Sequence, residues 1–415
     1  MSDRFHYYLI FAAMVLLAGL ETYCGTEALK DYQHPIETVS KTYFLSGLAL
    51  AILALFKPKL HNPLPSGWAL SGQRINRLLW IGFSAYLLLH LVYWARPVFE
   101  EYRIDPQFAD MLPVIKTMSQ RWIDGQPVYD NIAEIWNGIR PRYLPAMWMP
   151  YIPAQFMGID VRWTSVLLLW LGTVIAASSI RRQYSLLSIL PLAGLFYVLN
   201  FLFVRERQTL GWSEEPVVYA YFLLLGFALS RRSYWLSAVA VGLCLLSRYA
   251  LAFWVPVMGL FIWWRAGFPQ AVKWEGILAA MLVLLLFLPF GWDKLELFYG
   301  TPGEYIEQAR RVWTSETHHV YKTLGLAKFF SIEQIPLLHR LVLILGLAAP
   351  LTLLGLFLLL HRRIGLHAGM FGLASLKITL VVIFNFLEIP YLYLFFSSTL
   401  LTYPLLLAYL QPEET

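Results

Sequence analysis

The sequence predicts an all-α polytopic membrane protein, with about twelve transmembrane helices and amphipathic juxtamembrane helices on the outer face. Three observations carry that expectation. Hydrophobic residues make up 58% of the 415 and charged residues 14%, with a mean hydropathy of +0.57. Such values exclude an ordinary soluble enzyme. Apolar runs of near-membrane length recur along the chain, and Lys and Arg sit in short clusters between them. The net charge of +6 therefore reads as orientation by the positive-inside rule, with no nucleic-acid partner expected.

In order, the apolar runs fall at about 6–22, 42–56, 78–95, 162–180, 184–204, 216–230, 234–247, 250–264, 275–292, 339–360, 366–386 and 390–410. A span needs roughly 20 residues, fewer where the bilayer thins. The first run follows Arg4 and no small-residue cleavage site trails it, so it is expected to persist as a helix. Cys24 and Cys244 lie far apart and suggest neither a disulfide framework nor a metal site. The stretch from Tyr234 to Trp264 is too long for one helix. It is expected to form two short ones with Ser247-Arg248-Tyr249 at their turn.

The basic clusters test this count. Lys57/Lys59/Arg74/Arg77, Arg181/Arg182, Arg231/Arg232, Arg265/Lys273 and Arg362/Arg363 all fall inside if both termini are cytoplasmic and there are twelve spans. The two long polar loops, about 96–161 and 293–338, then face outward. The chain divides accordingly into a two-span extension with a cytoplasmic loop (1–77), a central module (78–292), the second outer loop (293–338) and a three-span bundle (339–415). Counting Tyr143–Met157 as a span would put either the first long loop or Arg181/Arg182 on the wrong side. Pro145, Pro150 and Pro153 each remove a backbone donor there. The segment is expected to lie along the outer interface with Trp148 and Tyr151 at headgroup level, a re-entrant hairpin or a true span being the alternatives.

The first outer loop supplies aqueous surface for chemistry. From Pro106 to Trp122, the residues Met111, Leu112, Ile115, Met118 and Trp122 repeat at helical spacing, as in a helix resting on a bilayer. Asp110 sits near its N-terminal end, where the helix dipole stabilises an ionised carboxylate. Asp110, with Asp105 as second choice, has the chemistry of a general base; either residue could equally be a helix cap. Outer-face cations are unexpected under the positive-inside rule and ask for an acidic partner. Arg205 and Arg207 occupy a brief turn, Arg248 separates two short spans, and the second loop adds Arg310, Arg311, His318, His319, Lys322 and Lys328. Each arginine either grips a lipid phosphate bidentately or pairs with Glu206, Glu214, Glu215 or headgroups. His318-His319 lack a third metal ligand, and no metal or other cofactor is expected. Lys377, inside the eleventh run, is either functional or half of a structural ion pair, and Glu388 ends that run. Trp263, Trp264 and Trp313 read as interfacial anchors. No Gly-rich phosphate loop, HExxH or GxSxG motif is present.

In spacing and topology the chain resembles the GT-C superfamily of multi-span glycosyltransferases, over roughly residues 78–290. It is most similar to the bacterial alpha-mannosyltransferase-like branch. Asp110, Gly125 and Tyr129 match that branch's outer-loop Asp followed by an amphipathic helix ending in Gly and Tyr. Tyr143-Leu144-Pro145-Ala146 is a looser match to its Tyr-x-x-Pro segment, and Arg205-Glu206-Arg207-Gln208 echoes an Arg-x-Gly-Gln turn with Arg207 in place of glycine. Arg231-Arg232-Ser233-Tyr234-Trp235-Leu236-Ser237-Ala238 also looks like the branch. Ser247-Arg248-Tyr249 keeps the charge of its Lys-Pro turn and loses the proline.

The resemblance implies transfer of a mannose-like hexose or pentose from a polyprenyl-phosphate donor to a glycolipid or glycan acceptor. The reaction would run on the outer face of a bacterial inner membrane. In that reading Asp110 is the base, with Asp105 second. Arg205, Arg207 and Arg248 hold the departing phosphate, with His318, His319 and Lys322 adding to the same phosphate and lipid region. Tyr143 and Trp148 line the lipid or sugar groove. A phosphate leaves readily, so one carboxylate and nearby cations suffice for an inverting transfer, fewer groups than the two carboxylates of most glycosidases. The alternatives are a lipid-linked glycan ligase or polymerase, and a lipid or glycan transporter.

Overall fold

The computed structural model describes residues 3–27, 36–58, 73–136, 138–180, 186–291 and 301–411. Lys59, Arg181 and Arg182 lie outside the described residues, as do the side chains of Arg74 and Arg77 and residues 292–300, where the second outer loop begins. Among the described residues every regular element is helical, and the only strand-like pairing is a single antiparallel bridge, Ile132 to Ile139.

Each of the twelve apolar runs becomes helix. They are α1 (Asp3–Gly25), α2 (Ile36–Leu55), α3 (Gln73–Glu101), α7 (Arg162–Ala177), α8 (Ile189–Val204), α10 (Glu215–Ser230), α11 (Tyr234–Leu245), α12 (Val255–Ala266), α13 (Phe268–Leu282), α16 (Ile335–Ile364), α17 (Phe371–Phe386) and α18 (Leu392–Leu410). Between them lie α4 (Met111–Ile123), α5 (Pro145–Trp148), α6 (Ile152–Phe156), α9 (Arg207–Trp212), α14 (Thr301–Ser315) and α15 (His318–Tyr321). A π-helical turn, Val283–Phe287, carries α13 on to Phe290.

Among the described residues, six stretches are long and apolar enough to cross a membrane: Arg4–Gly25, Ile36–Leu55, Phe268–Phe290, Ile332–Ile364, Ala368–Phe386 and Leu392–Leu410. The 16-residue α7, α8 and α10 reach only about 24 Å at the α-helical rise, short of a roughly 30 Å hydrocarbon core. The twelve-residue α11 and α12 are shorter still, and the turn between them is where the sequence places it, with Arg248 leading a 3-10 turn over Tyr249–Phe253. Apolarity on every face predicts central burial. It is found in α17 and α18, each 89% buried over its most apolar window, against 17% for α13 and 28% for α16 at the periphery.

Small residues bring the helices close. A Cβ on Gly172 of α7 would lie 2.8 Å from the Cα of Ala220 on α10. At the centre, Lys377 of α17 contacts Glu21 of α1 and donates to the Ser398 carbonyl (2.7 Å) and hydroxyl (3.0 Å) on α18. Thr402 completes the knot by donating to Glu21 Oε2 at 2.8 Å. Of the two readings open for Lys377, the structure takes the ion pair.

Among the described residues, Lys57, Arg232 and Arg265 of the basic clusters stand at one end of the bundle. Lys57, just past α2, donates to the carbonyls of Ala408 and Gln411. His367 N–H donates to Leu55 O at 2.7 Å, and Arg232 and Arg265 line one cleft there. The opposite end carries the starts of α4, α10 and α18 and the pairs Arg205–Glu27 and Arg207–Glu101.

Two local expectations are corrected. The first loop starts later than residue 96, because α3 continues to Glu101. Arg162 pins that end by an ion pair to Asp160 (2.6 Å), a bond to Phe99 O (3.1 Å) and stacking on the Phe99 ring. Trp313 is buried, donating to Glu388 O at 2.7 Å; it anchors the second loop to the bundle rather than to an interface. Glu388 is itself buried against His339.

Candidate functional site

Asp110 stands immediately before α4 with helical backbone angles (φ −88°, ψ −25°) and makes no side-chain cap bond. Asp105 behaves differently: its Oδ1 accepts from the Gln107 N–H at 2.8 Å, and its carbonyl accepts from Phe108 and Ala109. The local-turn role thus belongs to Asp105, and the Asp110 carboxylate is left over. Burial pushes the Asp110 carboxyl above its ordinary range, with the Glu316 charge reinforcing the shift and its own backbone opposing it. The helix dipole was expected to favour ionisation; loss of water around a half-buried carboxyl outweighs it.

The apolar stripe of α4 rests on protein, not on lipid. Leu112, Ile115 and Met118 are buried. Ser119 donates to Trp148 O (3.3 Å), and Gln155 donates to Gln120 Oε1 (2.8 Å). The proline-marked segment is correspondingly inside the bundle. Ala146 N–H donates to Leu246 O (3.0 Å), Tyr221 donates to Ala146 O (2.9 Å), and the Tyr151 and Ser165 hydroxyls bond at 2.8 Å. Trp148 and Tyr151 are fully buried, so neither sits at headgroup level and Trp148 lines no open groove. The prolines break the stretch into α5, a 3-10 turn and α6. Groups freed by those breaks are satisfied by α10 and by the end of α11, which draws the segment inward.

Gly125 (φ +67°) ends α4 in a left-handed conformation that only glycine adopts without cost. The chain then returns so that the Tyr129 hydroxyl donates to Tyr143 O (3.2 Å) and accepts from Trp148 Nε1 (3.4 Å), with Phe290 packed on Tyr129. The Gly125…Tyr129 part of the pattern is therefore a packing unit that seats Tyr143.

Tyr143 faces the charged centre. Glu214 and Glu215, at the start of α10, are both fully buried, and Arg248 reaches between them, 3.5 Å from Glu214 and in contact with the Glu215 carboxylate. Its guanidinium also lies 5.8 Å from the Tyr393 ring centroid. Asp110 acts electrostatically on Glu214, Tyr143 and Tyr391. Burial raises the Glu214 carboxyl and Arg248 opposes that rise. Glu214 Oε2, Glu215 Oε2 and Arg248 Nε have no hydrogen-bond partner. Beyond Tyr393 the rings continue: Tyr391 stacks on Tyr393 at 5.1 Å, and His319 meets Tyr391 at 4.9 Å.

The expected phosphate grip is dispersed. Arg205 is paired with Glu27, Arg207 lies 2.8 Å from Glu101, and only Arg248 joins Asp110. Burial and the adjacent His318 push His319 down to about 4, so it is neutral at neutral pH and supplies no charge to a phosphate. The His318 ring lies 3.9 Å from it, tilted by 42°, and Lys322 is exposed just past α15. Sequence reasoning treated Glu214 and Glu215 only as partners for arginine. Two acids opening an apolar helix were the signal that they belong to the site. No group of three or more His, Cys, Asp or Glu side chains among the described residues is placed to hold a metal ion. Compared with protein-family models, curated proteins and solved structures, the chain matches none.

Proposed function

We propose that this chain is an integral-membrane glycosyltransferase of the bacterial inner membrane. It moves a monosaccharide from a polyprenyl-phosphate donor to a glycolipid or glycan acceptor, at the end of the bundle that carries Asp110. The twelve helices are its twelve spans, the short ones completed by the protein around them, and the Asp110 end faces outward. The observation that carries this reading is the set Asp110, Tyr143, Glu214 and Arg248 in one half-buried polar centre, where Asp110 has no side-chain cap bond and, among the described residues, no ion pair.

Asp110 takes the proton of the acceptor hydroxyl as that oxygen attacks the anomeric carbon and the donor phosphate departs. A base with a raised affinity for protons is better matched to that task near neutrality than an ordinary Asp. Arg248 is the cation facing the departing charge. Glu214 and Glu215 keep it from reaching a substrate freely, and burial weakens the hold of Glu214 by favouring its neutral form. Arg205 and Arg207, on the same end and partly exposed, meet the phosphate during its approach. Asp105 remains behind as the turn former.

The test is transfer from purified polyprenyl-monophosphate sugars by the full chain in nanodiscs. Asp110→Asn, inserted normally, is expected to lower the rate by about 10²–10⁴-fold. The wild-type acid limb should lie above the ordinary Asp value of 3.8 and vanish in Asp110→Asn. Transfer by Asp110→Asn at the wild-type rate removes Asp110 as base. Consumption of a polyprenyl-diphosphate glycan in place of the monophosphate sugar replaces the reading by a ligase or polymerase. One observation favours a second reading: two buried carboxylates, Glu214 and Glu215, hold one arginine, with a third, Asp110, acting on Glu214. Buried acids in excess also suit proton-coupled transport, for which proton-driven lipid or glycan flux in proteoliposomes, without sugar transfer, is the distinguishing result.

A further inference from the structure

The hairpin that follows α4 holds the only aromatic residue among those described with a positive φ, Trp136, and leaves it in solvent. Ile132 N–H donates to Ile139 O (2.9 Å), Ile139 N–H returns to Ile132 O (3.1 Å), and Gly138 N–H closes the tip on Ile135 O at 2.9 Å. Trp136 is the first inner residue of that tip, with φ +49° and 58% exposure. A positive φ in a turn ordinarily falls to glycine, asparagine or aspartate, and for a bulky side chain it is an outlier. The turn by itself therefore gives no reason for tryptophan. Strain of this kind persists only where the surroundings impose it. Here Ile132 and Ile135 are buried, Arg121 donates to the carbonyls of Asp130 and Asn131, and a Cβ at Gly138 would meet Asn131 at 2.8 Å. The hairpin is braced from both sides to present one exposed ring.

That ring is turned toward the Asp110 end. Trp136 Nε1 donates to Pro106 O, in the turn that leads into Asp110. With its N–H spent on protein, the area that Trp136 shows to solvent is ring carbon. In the same turn Phe108 is 59% exposed and lies parallel to Trp212, at 6.0 Å between centroids and 3° between planes. The four-residue step from Pro106 to Asp110 keeps their Cα atoms within about 14 Å of each other. Exposed tryptophans on a membrane protein commonly anchor it among headgroups, ring in the apolar layer and N–H toward water. Trp136 departs from that pattern, because its N–H faces protein and its hairpin also exposes Asp130, Asn131, Glu134 and Arg140. Such a hairpin stands in water.

We propose that Trp136 and Phe108 form a stacking subsite for a sugar ring of the acceptor glycan. The identity of this ligand rests on the glycosyltransferase reading. The C–H face of a sugar ring carries partial positive charge and packs on the negative face of an aromatic ring. Its hydroxyls lie around the edge, where the carboxylates and amide of the hairpin can bond them. The acceptor is favoured over the donor because a donor sugar is held next to its lipid phosphate, whereas an acceptor glycan extends into water. The subsite would thus hold one part of the glycan while Asp110 meets the hydroxyl that attacks.

The test uses the full chain in phosphatidylcholine nanodiscs, with soluble mannotriose and arabinotriose as the hexose and pentose probes and saturation-transfer NMR as the readout. Wild type is expected to bind at least one of them. Trp136→Gly takes φ +49° without strain and so keeps the hairpin. It should weaken binding by about tenfold or more, the scale of one lost aromatic stack. Phe108→Ala leaves the hairpin untouched, should weaken binding in the same direction, and serves if Trp136→Gly inserts poorly. Equal affinities in wild type and both variants, or no binding of either probe by wild type, overturn the subsite. In nanodiscs of brominated phosphatidylcholine, Trp136 should add nothing to the quenching of tryptophan fluorescence. A quenched component that disappears in Trp136→Gly makes the residue a bilayer anchor and also overturns the subsite. Trp136-dependent binding by a chain that transfers no sugar keeps the subsite and removes the glycosyltransferase reading. Sugar transfer with an unchanged acceptor KM in Trp136→Gly does the reverse.

Discussion

At Lys377 two possibilities that look alike in sequence are separated by a single contact. A lysine inside an apolar run reads as functional until its partner is known. Here Glu21, Ser398 and Thr402 satisfy the pair within the core, and neither charge is exposed. Lys377→Met leaves Glu21 buried without a counter-charge and is expected to cost about 3–5 kcal/mol, while Lys377→Met with Glu21→Leu recovers most of it. Thermal melting of the purified protein measures both; a single variant as stable as wild type would contradict the structural role. Asp110 shows the converse. Its neighbours on the chain suggest a cap, and the structure leaves its carboxylate uncapped beside Glu214 and Tyr143. Because its folded-state pKa is raised, the folded protein binds that proton more tightly than the unfolded chain does. Its contribution to stability is therefore present at low pH and lost as pH rises through the folded pKa.

Among elements, α7 and α10 show how short apolar helices are held. Gly172 lets the backbone of α10 approach so closely that a methyl group would meet Ala220 Cα at 2.8 Å and its carbonyl oxygen at 3.0 Å. Backbone cannot swing away as a side chain can. Gly172→Ala is expected to destabilise by about 1–3 kcal/mol through overpacking, read as a lower melting temperature and, through the start of α10, a displaced Glu214. An unchanged melting temperature would mean that the two helices separate at little cost. The same scale explains the two reversals in the first outer loop. Both α4 and the proline-marked segment carry apolar residues suited to a bilayer interface, and each instead uses them against the other. Sequence periodicity names the apolar face of a helix but not the surface that covers it.

For the whole molecule, the main result is that the described basic residues Lys57, Arg232 and Arg265 stand at the end of the bundle opposite the Asp110 centre. It rests on contacts between segments far apart in the chain, such as Lys57 with Gln411 and Arg248 with Glu214. Both native cysteines are buried, so single exposed cysteines can be added without removing them. Glu134→Cys is expected to react with a membrane-impermeant thiol reagent in intact cells, and Arg363→Cys only after permeabilisation. The reverse pattern would place the Asp110 centre in the cytoplasm and rule out the proposed outer-face reaction.

The sequence by itself determined the helical class, the positions of the twelve apolar helices and the turn at Arg248. Hydrophobic periodicity, prolines and charge clusters are local quantities that survive in any fold of this chain. It also singled out Asp110, though through spacing and resemblance. Only the tertiary structure decided what each polar group faces. It gave Arg205, Arg207 and Arg248 separate carboxylate partners and brought Glu214 and Glu215 into the centre. It withdrew Trp148 and Tyr151 from the interface and closed Lys377 into a core ion pair. The physical reason is the same throughout. A charge or an aromatic ring has several acceptable environments, and which one it finds depends on residues that packing brings from elsewhere in the chain.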